Sequence, residues 1–158
     1  MKAHWGLSLA ALFAGMAVAT VQAHPVSPDD AAWVATAWLA TSSVPDGGRI
    51  RNALADDVLT YVDERGDTLL HVVKLEGGGY VVTAGDTSIF PIVLYAASGE
   101  LPDEDFRNPF WTLVASSLQY QKELRDVAAL NPFGLSGGEN QTVDPEETWA
   151  ALLEHTPS

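Results

Sequence analysis

From Val58 to Ala97 the hydrophobic pattern has a period of two, carried by four short runs: VLTYV, TLLHVVKL, YVVTA and PIVLYAA. Alternate side chains on a strand point to opposite faces, so this block predicts four β-strands. The connections are DERGD, Glu76 with the triplet Gly77 to Gly79, and a turn beginning Asp86-Thr87-Ser88. None is long enough for a crossover helix, so neighbouring strands must run antiparallel, and a meander is the economical topology. Pro91 belongs at the start or edge of its strand, where its missing N–H leaves no gap in the ladder. Gly78 and Gly79 supply the positive φ that a tight connection needs, and Asp86 ends the strand that follows them. A phosphate-binding loop would have to open a helix, whereas this triplet joins two strands.

Period-two strands leave an apolar face to bury, and the flanking segments supply helices to cover it. Ser27-Pro28-Asp29-Asp30 carries an N-cap residue, proline at the first helical position and two carboxylates in the first turn, ahead of AAWVATAWLA. The first helix therefore runs to about Thr41, and SSVPDGG ends it. Residues Ile50 to Asp57 are read as a short helix. After the acidic stretch Gly99 to Arg107, Asn108-Pro109 opens a long helix whose stripe is Phe110, Leu113, Val114, Ser117, Leu118, Gln121 and Leu124. Asn131-Pro132 closes it. The expected fold is α+β, a four-stranded antiparallel sheet with the N-terminal and the long C-terminal helix packed on one face. Residues 131–158 read as a linker followed by a short helix in EETWAALLEH.

Residues 1–23 have a basic residue at Lys2, an apolar stretch of small residues from Trp5 to Ala19, and Val21 and Ala23 before a cut. This is the pattern of a secretory signal peptide, too short in its apolar core for a membrane span of about 20 residues. The expectation is a mature chain from His24, secreted or periplasmic, with no membrane insertion. The chain has no cysteine, which rules out disulfides, thiolate metal sites and a cysteine nucleophile within it. Its formal net charge of −13 repels nucleic acid and anionic lipid. Such a surface favours encounter with a basic protein partner, or serves only to keep the chain in solution.

The residues offer little for catalysis. His24, His71 and His155 are far apart and lack the spacing that puts two ligands on one helical face, so no metal site is expected. His71 reads as a sheet residue. There is no G-x-S-x-G, and Ser98-Gly99 after a strand is hairpin chemistry. Asp103, Glu104 and Asp105 lack calcium-loop spacing. No enzyme and no cofactor is expected.

Taken in order within the roughly 50-residue stretch from His71 to Leu124, Gly78-Gly79-Tyr80-Val81-Val82, Thr83-Ala84-Gly85-Asp86, Pro91-Ile92-Val93-Leu94-Tyr95, Ser98-Gly99 and Asn108-Pro109 with Trp111 form one pattern. It resembles the prodomain of streptopain-type cysteine peptidases, which also occurs as the Spi protease inhibitor domain. The alanine-rich helix after the leader fits too, and the likeness covers residues 24–130. Trp111 comes early after Asn-Pro for this pattern, and Ile89-Phe90 replaces a polar turn. The peptidase domain that follows such prodomains is not in this chain.

The resemblance implies a secreted inhibitor that docks on a streptopain-type cysteine peptidase and blocks its active-site cleft. It implies that the segment Gly99 to Asn108 reaches the cleft, with Asn108 at the position that intrudes among the catalytic groups. Asp105, Phe106, Arg107, Asn108, Phe110 and Trp111 are then the partner-binding residues. Asn108 before Pro109 is equally what an ordinary helix N-cap looks like, and the two roles are compatible. At helical spacing, at least one of Phe106, Phe110 and Trp111 belongs to the core. Two other readings stay open: a non-catalytic structural or interaction module, and a peptidase precursor cut short.

Overall fold

The computed structural model describes residues 24–42, 50–99, 101–102, 108–130 and 144–155, with only the backbone over 125–130. Ser27 Oγ accepts the Asp30 amide at 3.1 Å and donates to its carboxylate at 2.7 Å. With Pro28 in the first turn, this cap opens α1 (Pro28–Thr41) where the sequence placed it. Strands β1 (Ala55–Val62), β2 (Thr68–Leu75), β3 (Tyr80–Ala84) and β4 (Ile92–Ala96) follow, then α2 (Pro109–Leu130) and α3 (Pro145–Glu154). The sheet has the order β1-β2-β3-β4 with every pair antiparallel, so the α+β meander is the observed fold.

The two long helices lie on opposite faces of this sheet, not on one. Tyr61 pairs with Leu70, and Leu70 with Ala84, so these three share a face. On that face Tyr61 stacks against Trp111 of α2, with ring centroids 5.3 Å apart and 26° between planes. Val73 pairs with Val58 and Val81, and Val81 with Tyr95. Positions 70 and 73 differ by an odd number, so this second row points the other way. There Tyr95 meets Trp38 of α1 at 5.2 Å. The physical reason is in the central strands. All five residues of β3 are buried, and β2 is apolar on both faces apart from Thr68, His71 and Lys74, so one covered face would have left valines in water.

Residues Ile50 to Asp57 do not form the short helix read from the sequence. The Ala53 amide donates to the Ile50 carbonyl in a turn, and Asn52 takes a φ of 64°, which a right-handed helix cannot continue through. Ala55 and Asp57 instead pair with Leu75 and Lys74, and Asp57 forms an ion pair with Lys74 at 3.5 Å. β1 thus begins three residues before the periodic run.

Two segments outside the sheet complete the core. His24 to Val26 run antiparallel to Gly85 to Thr87: the Val26 amide donates to the Gly85 carbonyl at 2.9 Å and the Thr87 amide to the His24 carbonyl at 3.0 Å. At the other end, α3 packs on α1, with Asp144 as its N-cap. Trp149 is buried in the same core, and its indole N–H donates to the Ile89 carbonyl at 2.8 Å. Among the described residues no helix is long and apolar enough to cross a membrane.

Candidate functional site

The N-terminus of α2 is built from Asn108. Its side-chain oxygen accepts the Phe110 amide at 3.0 Å, and its carbonyl accepts the Trp111 amide at 3.0 Å. These bonds satisfy amides that the first turn of a helix leaves without intrahelical partners. Asn108 is half-buried, held by the helix it caps at the place where the chain leaves the acidic stretch. Phe110 is half-buried and meets Trp111 edge-on at 4.9 Å.

Trp111 is the aromatic that belongs to the core. It is fully buried between Tyr61 and Phe110, and its indole N–H points at the Pro102 carbonyl at 3.4 Å. From beneath, it fixes both Asn108 and the chain that leaves β4. Asp105, Phe106 and Arg107 lie outside the described residues.

The glycine and aspartate motif positions this helix from the sheet side. Gly77, Gly78 and Gly79 all have positive φ, at 82°, 99° and 89°. The Gly78 amide donates to the Leu75 carbonyl and the Leu75 amide to the Gly79 carbonyl, which closes the β2–β3 hairpin. Gly79 is also pressed against β4, since a Cβ there would lie 2.5 Å from the Ala96 carbonyl oxygen. Pro91 is buried immediately before β4, and its carbonyl accepts the Ala84 amide. Asp86 Oδ1 accepts the Ser88 amide at 2.7 Å while Oδ2 pairs with Lys122 of α2 at 3.4 Å. That ion pair ties the turn after β3 to α2.

Between the β1–β2 turn and α2 lies a cleft of about 440 Å³, lined by Asp63, Glu64, Asp67, Gln119, Lys122 and Glu123 among others. The turn is stiffened by Asp63, whose Oδ1 accepts the amides of Arg65 and Asp67. The Asp67 amide, followed by that of Arg65, holds the Asp63 carboxyl below the usual carboxylate range. Among the described residues no three His, Asp or Glu side chains converge as metal ligands.

The outer surface of α2 is more apolar than the core requires. Trp111, Val114 and Leu118 face the sheet, whereas Leu113, Tyr120 and Leu124 are 73 %, 61 % and 50 % exposed. The stripe read from the sequence therefore splits between a buried row and an exposed one. Sequence reasoning assigned Tyr61 and Lys122 no role here and read Gly85 only as a member of the Thr83-Ala84-Gly85-Asp86 motif. Only Gly85 carried a local signal, as a glycine directly after a β-branched run.

A family model described as Spi protease inhibitor matches residues 23–121. The match takes in the N-terminal strap, α1, the whole sheet, Asn108 and the first half of α2. No curated protein and no solved structure matches the chain.

Proposed function

The chain belongs to the Spi protease inhibitor family, and from that premise we propose that it is a secreted, non-catalytic inhibitor of a streptopain-type cysteine peptidase. The family match over α1, the sheet and the start of α2 carries this reading. In it, the segment from Gly99 to Asn108 enters the peptidase's cleft and keeps substrate out. Asp105, Phe106, Arg107, Asn108 and Phe110 make the contact, with Trp111 holding the helix end beneath them. The end of that segment, Asn108, is held by its bonds to the first turn of α2. Acidic residues in the segment speed encounter with a basic partner more than they add affinity.

Secretion rests on the leader pattern of residues 1–23 in the sequence. Cleavage after Ala23 would leave a chain whose first residues, His24 to Val26, are paired to the sheet. The product would be secreted or periplasmic according to the host envelope.

The test is titration of residues 24–158 against a streptopain-type peptidase, with papain as control. Stoichiometric loss of the first activity, with papain untouched, is the expected outcome. An uninhibited peptidase at inhibitor concentrations on the order of tens of micromolar would overturn the reading and leave a non-catalytic interaction module.

A further inference from the structure

We propose that the exposed face of α2, centred on Leu113 and Tyr120, is a second docking surface for the target peptidase, on the helix that Asn108 caps. The proposal rests on the inhibitor reading above. From Pro109 to Gln121 the helix contains no Asp, Glu, Lys or Arg, although such residues make up 18 % of the chain. Leu113, Ser117, Tyr120 and Leu124 follow helical spacing, so they form one stripe, roughly 16 Å long. The core does not need it, because Trp111, Val114 and Leu118 already fill the sheet side. An uncharged stretch that exposes Leu113 and Tyr120 has the composition of an interface centre, where charged residues are depleted and aromatic ones enriched.

The occupant follows from charge and position. A second copy would bring another −13 against this face, and self-repulsion opposes that pairing. A protease is the partner the family implies, and the stripe begins at Leu113, five residues beyond Asn108 on the helix that it caps. A peptidase that engages Asn108 therefore meets the start of the helix that carries Leu113 and Tyr120. The segment alone is ten residues, while a stable interface draws on about 20–30 residues a side. The helix face makes up part of that difference.

Inhibition constants for the wild-type chain, Leu113→Glu with Tyr120→Glu, Leu113→Ser with Tyr120→Ser, and Leu54→Glu test this, with thermal unfolding and gel filtration of each. Both residues are exposed, so the variants should melt close to wild type. The double Glu variant should inhibit on the order of a hundredfold more weakly and the double Ser variant on the order of tenfold. Leu54, 54 % exposed and immediately before β1, should change inhibition by less than about twofold. A wild-type chain that fails to inhibit overturns the inhibitor reading and this proposal with it. A wild-type chain that inhibits, with double variants equal to it, overturns the docking face alone. A wild-type dimer lost in the double variants would make a second copy the occupant. Unchanged inhibition with a lowered melting temperature would mean that the chain's own residues cover the stripe.

Discussion

His71 Nε2 lies 2.9 Å from the carbonyl oxygen of Val26, and its Nδ1 lies 2.9 Å from the hydroxyl of Thr60. The neutral ring with its proton on Nε2 satisfies both: the N–H donates to Val26, and Nδ1 accepts from Thr60. One buried imidazole therefore fastens the N-terminal strap to the first two strands.

A pH dependence of stability follows from this burial. Desolvation pushes the His71 pKa below 6.5, and the Val26 carbonyl opposes that only in part. In the unfolded chain the ring takes up its proton near 6.5, whereas in the folded chain it stays neutral to lower pH. Stability is thus complete above about 6.5 and declines as pH falls from there toward the folded value. Melting temperatures recorded between pH 8 and 5 should be flat and then drop, and His71→Gln should remove the part of the slope just below 6.5. An equal slope in that variant would assign the drop to other groups.

The glycines should separate by their surroundings. Gly78→Ala meets open space, so its cost is the positive φ alone, about 1–2 kcal/mol. Gly79→Ala combines the same strain with a Cβ placed 2.5 Å from a strand carbonyl, and should cost more than Gly78→Ala. Gly85 has an ordinary φ, yet a Cβ there would lie 2.6 Å from the Thr68 carbonyl oxygen. Gly85→Ala should therefore destabilise through contact alone. Urea midpoints for the three variants check the order, with Gly78→Ala expected to be the mildest.

Asn108 allows cap and contact to be measured apart. Removing its side chain leaves the Phe110 amide without the 3.0 Å bond, at a cost of about 1 kcal/mol. Asn108→Asp restores a capping oxygen and should recover most of that stability. If the amide itself meets the peptidase, Asn108→Asp should remain impaired as an inhibitor while melting close to wild type. Full inhibition by Asn108→Asp would make the residue a cap and nothing more.

The elements that were legible in the sequence are those with local causes. Ser27 and Pro28 announce α1, Gly78 and Gly79 announce the hairpin, and Asn108 announces α2, because each acts on a backbone within three residues of itself. The start of β1 was not legible, since Ala55 to Asp57 have no alternation and become a strand only by pairing with Leu75 and Lys74. The placement of the helices was misread although a signal existed. LLHVV in β2 and YVV in β3 are nearly continuous apolar runs, which mark strands buried on both faces. Of the candidate site, the cap could be read directly, while the stack of Tyr61 on Trp111 joins residues fifty positions apart and has no local trace.

The last helix offers the sharpest test of where the folded unit ends. The family match stops at residue 121, yet Trp149 is only 2 % exposed and donates its indole N–H to Ile89, sixty residues away. If α3 is part of the core, Trp149→Ala should cost about 3–5 kcal/mol, the usual penalty for emptying a buried aromatic site. Trp149→Phe keeps much of the volume but strands the Ile89 carbonyl, and should cost about 1–3 kcal/mol. Urea unfolding of both, beside a chain ending before Asp144, checks this. The truncated chain should be destabilised at least as much as Trp149→Ala, because it loses the packing of α3 on α1 as well. Unchanged midpoints in all three would mean that α3 rests on α1 without stabilising it.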